Sequence, residues 1–105
     1  MIRDEIRVGV TNLAINEREH AIEEYGYFHS DHEAYGVTLE EVEEAQDELE
    51  RINWKMANIW DDVKHDRPLA VADEVRTMRD AAINCACECI QVAAMCDKYL
   101  TPKDK

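Results

Sequence analysis

Apolar residues recur every three or four positions along two long stretches of the chain, which is the spacing of helices with one buried face. In the first stretch the repeat consists of Val42, Ala45, Leu49, Ile52, Met56, Ile59 and Val63. In the second it consists of Val71, Val75, Met78, Ala82, Cys85, Cys89, Val92, Cys96 and Tyr99. A weaker repeat through Ile6, Val10, Leu13 and Ala14 predicts a helix before both. The pattern therefore predicts an all-α fold with three helices.

Local stop and start signals divide these helices. Gly26 can end the first helix, and Ser30 to Glu33 forms a capping box that can begin the second. Thr38 to Glu41 is a rival capping box, so a later start or a kink near Gly36 is the alternative. Pro68 ends the second helix and suits the first turn of the third. The predicted helices cover about 2–25, 31–65 and 68–100, within a single domain, 1–105.

The length of the second helix bears on assembly. At about 1.5 Å per residue, a helix of about 30 residues spans about 45 Å, which exceeds the diameter of a compact globule of this size. One chain cannot cover such a helix alone. We therefore expect an antiparallel helical bundle completed by oligomerisation, as a homodimer or homotetramer. The alternative is that the two apolar repeats serve only to make a coiled-coil oligomer.

Charge and composition exclude several classes of partner. The chain has 24 acidic and 12 basic residues and a net charge of −12, which would repel nucleic acids and anionic membranes. It shows no signal-peptide pattern and no apolar run of membrane-spanning length, so we expect a cytoplasmic protein. In that compartment the four cysteines should be reduced, and their spacing indicates small core residues rather than a zinc site.

Two acidic features are candidates for chemistry. The segment 40–50 contains seven carboxylates and no basic residue, and such a cluster destabilises a helix unless a cation or solvent compensates it. Glu88 lies in the most apolar stretch, 81–95, whose composition predicts burial on all sides. A buried carboxylate must be protonated, paired or bound to a metal ion.

Helical periodicity places these acids on matching stripes. Glu88 and Gln91 lie on one face of the third helix, and Glu41, Glu44 and Glu48 form a stripe on the second. If the stripes face each other, Glu41, Glu44 and Glu88 can surround Mg²⁺, which prefers hard oxygen ligands. The alternative is that an arginine or a lysine, from the first helix or from a neighbouring subunit, pairs with Glu88, and Arg7 and Arg79 are candidates.

The same residues carry a family resemblance. Residues 40–44, Glu-Glu-Val-Glu-Glu, resemble the E-E-x-x-E half of the signature of the all-α nucleoside triphosphate pyrophosphohydrolases, the MazG-like family. Residues 88–91, Glu-Cys-Ile-Gln, resemble its E-x-x-D half, with Gln91 in place of aspartate and a longer gap between the halves. The resemblance implies a helical dimer or tetramer that uses Mg²⁺, or Mn²⁺, to convert a nucleoside triphosphate into its monophosphate and pyrophosphate. The implied metal ligands are Glu41, Glu44, Glu88 and Gln91.

Further roles follow for neighbouring residues. Glu40 or Glu48 could accept a proton from the attacking water, and aromatic residues at the first corner could stack on a base. The residues we assign to substrate binding are Tyr27, Phe28, His29 and His32, with simple corner packing as the alternative. Glu17 to His20 matches half of a di-iron motif, which requires two copies, and we set it aside. The alternative function is a non-catalytic helical oligomer, an interaction or regulatory module with a degenerate site.

Overall fold

The protein is all-helical, and the prediction of three helices is confirmed. A computed structural model describes residues 1–103. It contains α1 (Asp4–Tyr25), α2 (Asp31–Lys64) and α3 (Pro68–Leu100), and these described residues include no strand. Within the same part of the chain, no helix has both the length and the apolar character that crossing a membrane requires.

The connection between α1 and α2 is built as the local sequence predicts. Gly26 adopts a positive φ of 78°, which favours glycine, and its N–H donates to the carbonyl oxygen of Ile22 at 2.7 Å. The hydroxyl oxygen of Ser30 then accepts a hydrogen bond from the backbone N–H of Glu33 at 3.1 Å. The helix starts directly after Ser30 and continues through Gly36, so the late start at Thr38 is wrong.

The Glu33 side chain departs from the standard capping box. Its carboxylate accepts a hydrogen bond from the backbone N–H of His29 at 2.6 Å, one residue before the N-cap. This N–H donor holds the pKa of the Glu33 carboxyl below its ordinary value. Glu33 therefore ties the end of the α1–α2 connection to the first turn of α2.

Contacts divide the chain into two compact units. Unit 1 consists of Met1–Val42 together with Glu88–Lys105, and unit 2 consists of Glu43–Cys87. Unit 1 contains α1, the start of α2 and the end of α3. Its buried apolar residues are Ala14, Ala34, Ala94 and Met95. Because three of them are alanines, the core of this unit is formed by helix surfaces of small residues.

Unit 2 consists of parts of two helices. The thiol of Cys85 donates to the carbonyl oxygen of Ala45 at 3.6 Å, and the ammonium of Lys55 lies 3.6 Å from the Glu74 carboxylate. Within unit 2, residues early in the α2 part therefore contact residues late in the α3 part, and later residues of α2 contact earlier residues of α3, which is the pairing of a helical hairpin. Among the described residues of this unit, Ala81 is the one buried apolar residue.

Two predictions about burial are wrong for the single chain. The stretch 81–95 is not buried on all sides, because Ile83 is exposed and Glu88 is half-buried. The cysteines do not form a core either, since Cys87, Cys89 and Cys96 are exposed and Cys85 is half-buried. The physical reason is geometric: two or three helical segments can bury only one stripe of α3, and an all-apolar segment then leaves its other side in solvent.

Candidate functional site

The structure brings the predicted acidic residues of α2 and α3 together. One carboxylate oxygen of Glu41 and one of Glu88, both in unit 1, lie within 4.8 Å of each other. Glu44 follows Glu41 by one turn, and an oxygen of Glu44 lies within 4.8 Å of that of Glu41. Because α2 is unbroken here, the helix itself keeps Glu44 beside Glu41. We call Glu41, Glu44 and Glu88 the carboxylate cluster.

The chemistry of the carboxylate cluster fits a divalent cation. Three carboxylates provide hard oxygen donors, which Mg²⁺ and Mn²⁺ prefer to sulfur or nitrogen. Glu41 and Glu88 are half-buried and Glu44 is exposed, so the cluster is partly screened by protein and open to solvent on one side. A Mg²⁺ ion bound by a few carboxylates commonly keeps positions for water and for phosphate oxygens. The cluster therefore has the donors and the access that such an ion needs.

A cavity in unit 1 includes one member of the cluster. Its volume is about 590 Å³, which is in the range of small-molecule sites. All three helices and the α1–α2 connection contribute to its walls. Residues that line it include Glu17, His20, Phe28, Glu41, Gln91 and Lys98. We call it the site cavity. A molecule bound there would meet Glu41 directly.

Gln91, the fourth implied ligand, is tied to α1. Its side-chain amide donates a hydrogen bond to the Glu17 carboxylate at 2.6 Å, and both residues line the site cavity. A short bond to a charged acceptor is among the stronger hydrogen bonds in proteins. It fixes the Gln91 side chain on the cavity wall, while its assignment as a metal ligand stays a prediction.

The two candidate proton acceptors occupy different environments. Glu40 is exposed and lines the site cavity, where a reacting water could reach it. Glu48 belongs to unit 2, and its Oε1 is buried without a hydrogen-bond partner among residues 1–103. The Arg51 guanidinium is 4.0 Å from that oxygen, too far for a hydrogen bond. Glu40 lines the site cavity and Glu48 does not, and the role of each as a proton acceptor stays a prediction.

The predicted substrate-binding residues separate into two groups. Tyr27 and Phe28 line the site cavity. His29 lies in the wall of a neighbouring cavity of about 320 Å³, where its ring Nδ1 is 3.3 Å from a Glu33 oxygen. His32 is exposed in the first turn of α2. Of the four residues predicted to bind substrate, Tyr27 and Phe28 therefore line the site cavity, and the two histidines have other surroundings.

Sequence reasoning missed three residues of the site cavity. Glu17 and His20 both line it, and the Glu-x-x-His pattern that we set aside was the available signal. Lys98 also lines it and is only 5% exposed. Nothing in the sequence around Lys98 distinguishes it from an ordinary lysine in the last turn of a helix.

Comparison of the chain with protein-family models, with curated proteins and with solved structures finds no match. The residues of the site themselves and the short motifs at 40–44 and 88–91 are therefore what indicates a function.

Proposed function

We propose that the protein is a Mg²⁺-dependent nucleoside triphosphate pyrophosphohydrolase that acts on the cytoplasmic nucleotide pool. The observation that carries this proposal is the proximity of the Glu41 and Glu88 carboxylates, which belong to different helices and are far apart in sequence. The motif resemblance at 40–44 and 88–91 supports the same reaction. Mn²⁺ is the expected substitute for Mg²⁺, because it accepts the same oxygen donors.

Glu41, Glu44 and Glu88 would hold the ion, with Gln91 as a further candidate ligand. A divalent ion bound there would neutralise phosphate charge and lower the pKa of a water molecule. In the proposed reaction a water oxygen attacks the α-phosphorus, and the bond from that phosphorus to the bridging oxygen of the β-phosphate breaks. The products are a nucleoside monophosphate and pyrophosphate. Glu40, on the cavity wall, accepts the proton that the water loses.

We propose further that a second copy of the chain covers unit 2, giving an antiparallel bundle in a homodimer or homotetramer. The support is the exposed apolar surface of this unit, where Trp54 is 77% and Trp60 is 60% exposed. Leu49, Met56 and Val63 are members of the apolar repeat of α2 and are also exposed. Soluble proteins rarely leave large apolar surfaces exposed, and those that they do expose commonly mark sites of association.

A second candidate function is a non-catalytic helical oligomer. The hydrogen bond from Gln91 to Glu17 favours it, because an amide replaces an acidic ligand and donates to another carboxylate. In this alternative the carboxylate cluster is a solvated acidic surface, and the exposed face of unit 2 is the functional part of the molecule.

Pyrophosphate release from a panel of nucleoside triphosphates, with Mg²⁺ or Mn²⁺, tests the enzyme. We expect Glu88→Gln to lower kcat by about 100-fold or more, because it removes a charged ligand while preserving shape. Glu43→Gln, an exposed acid on the same helix as Glu41, is the matched control and should change kcat less than about twofold. Binding of Mn²⁺, measured by electron paramagnetic resonance, should weaken in Glu88→Gln alone.

Two results would contradict the proposal. If the wild-type protein releases pyrophosphate from no nucleotide and does not bind Mn²⁺, the non-catalytic oligomer is the better description. If Glu88→Gln is as active as the wild type, catalysis occurs elsewhere on the chain.

A further inference from the structure

Lys98 is the one charged residue that is buried within the described residues 1–103. It lies in the last turn of α3, in unit 1, and its side chain is packed against Phe28. The Lys98 ammonium is 4.3 Å from the centroid of the Phe28 ring, a cation–π contact. Removing an ammonium from water is costly unless other groups replace its hydration.

The partners that the protein supplies to this ammonium are incomplete. A ring face attracts the charge but accepts none of the three hydrogen bonds that an ammonium can donate in the way an oxygen does. None of the ion pairs seen within residues 1–103 includes Lys98. Hydrogen-bonding capacity therefore remains for an external oxygen ligand.

Lys98 is also placed where a ligand can reach it. It lines both the site cavity and the neighbouring cavity, which is formed by the α1–α2 connection, the first residue of α2 and residues 98–103. Glu41, from the carboxylate cluster, lines the same site cavity from a different helix. A ligand filling this cavity would meet a carboxylate-bound cation on one helix and a lysine on another. A polyanionic chain is the ligand class that both groups attract.

We propose that Lys98 binds the polyphosphate chain of the substrate, held in position by Phe28. This inference rests on the proposed function, and it deepens it by assigning the triphosphate to the site cavity. It also gives Phe28 a definite role, because one face of its ring supports the ammonium and is not available to stack on a base. Stacking on a base is then left to the other face of the Phe28 ring and to other aromatic residues of the cavity, such as Tyr27.

Binding of inorganic tripolyphosphate in the presence of Mn²⁺, measured by calorimetry, tests this role without any turnover. We expect Lys98→Met to raise the dissociation constant about 10- to 100-fold, the effect of losing a charged hydrogen bond. Lys98→Arg should restore binding to within about threefold, since it keeps the charge. For the enzyme, Lys98→Met should raise KM for the nucleoside triphosphate far more than it lowers kcat.

Lys64 provides a matched control within the same chain. Its ammonium is 5.6 Å from the centroid of the Trp60 ring, in unit 2, and the residue is exposed. Lys64→Met removes the same charge and the same type of contact, but we expect it to leave tripolyphosphate binding unchanged. Mn²⁺ binding without tripolyphosphate should be retained in both variants, which shows that each is folded with an intact carboxylate cluster.

The outcomes separate this inference from the proposed function. Tripolyphosphate binding that is equal in Lys98→Met and wild type, or equally weakened by Lys64→Met, would overturn the role of Lys98 whether or not the protein is an enzyme. If Lys98→Met does not fold, the same comparison is made with Lys98→Gln. Loss of binding in Lys98→Met alone supports the phosphate site even if no nucleotide is hydrolysed.

Discussion

Units 1 and 2 are built from the same two long helices, yet they differ in how those helices are covered. In unit 1 a third segment, α1, packs with α2 and α3, and the unit buries Ala34, Ala94 and Met95. In unit 2 the hairpin of α2 and α3 has no third segment of its own, and Trp54 and Trp60 remain exposed. The comparison shows that the same two helices can bury small and apolar residues at one end and leave large apolar side chains exposed at the other.

Each unit contains a lysine–aromatic pair, and the two pairs differ in their exposure to solvent. Lys98 is buried over Phe28 in unit 1, beside a cavity, whereas Lys64 is exposed over Trp60 in unit 2. An exposed pair contributes little to stability, about 0.5–1 kcal/mol, and needs no functional explanation. A lysine whose side chain is buried at the wall of a cavity is uncommon and does need one. The lysine of the pair in unit 1 is buried and the lysine of the pair in unit 2 is exposed. This difference in exposure is consistent with a candidate binding site in unit 1 and a candidate interface in unit 2.

The largest effect that would sharpen this comparison concerns assembly. Replacing Trp54 and Trp60 together by glutamate should raise the dissociation constant of the oligomer by about 100-fold or more, because charges would replace buried aromatic contacts. Tyr35→Glu, at an exposed aromatic residue of unit 1, is the control and should leave the oligomer intact. Sedimentation across a concentration series measures both. A wild-type protein that is monomeric throughout would contradict the proposed interface.

The second effect concerns the stability of the isolated chain. In the background of the two tryptophan replacements, Met95→Ala should lower the free energy of unfolding by about 2–5 kcal/mol, because it leaves a cavity in unit 1. Met56→Ala, at an exposed methionine of unit 2, should lower it by less than about 1 kcal/mol. Urea unfolding monitored by circular dichroism gives both values. If Met95→Ala and Met56→Ala lowered the free energy of unfolding equally, the two methionines would be buried to the same extent, which would contradict the comparison.

The smallest effect depends on pH and belongs to unit 1. The His29 N–H holds the pKa of Glu33 below its ordinary value of 4.5, so the ionised carboxylate stabilises the folded state. That stability is present above the unfolded-state pKa and is lost as pH falls through the lowered folded-state value. The difference in Tm between wild type and Glu33→Gln should therefore be constant near neutral pH and shrink below about pH 4.5.

Ser30→Ala is the control for this pH effect. It removes the hydroxyl that caps the same turn of α2 and should cost about 1 kcal/mol, without following the titration of Glu33. A Glu33→Gln difference that does not change between neutral and acidic pH would show that the carboxylate contributes no charge-dependent stability.

Local features of the fold could be predicted from the sequence. The helices, the capping hydroxyl of Ser30 and the position of Pro68 at the start of α3 depend on neighbouring residues, and the structure shows each of them. Burial could not be predicted equally well. Composition indicated that 81–95 is enclosed, but the exposure of Ile83 depends on which segments pack beside α3. That information is spread over distant parts of the chain.

In the candidate site, too, features that depend on neighbouring residues could be predicted, and features that depend on distant segments could not. Glu41 and Glu88 could be predicted to meet because helical periodicity places each acid on a definite face. Gln91 was identified by its position in the motif, but its hydrogen bond to Glu17 depends on where α1 lies. Lys98 was missed because its burial results from packing against Phe28, which is far away in sequence. Residues whose role depends on three segments meeting cannot be recognised from one of them.

The division of the chain also has a kinetic consequence. Unit 2 is a continuous segment whose helices are joined by a short turn, so its contacts close a small loop and form early. Unit 1 forms only when residues up to Val42 meet residues from Glu88 onward. Contacts between segments so far apart in sequence form slowly unless the hairpin between them has already folded. During synthesis the apolar hairpin would therefore be formed while α1 still lacks its partner in α3. The contact between Glu17 of α1 and Gln91 of α3 would then form after the hairpin contacts.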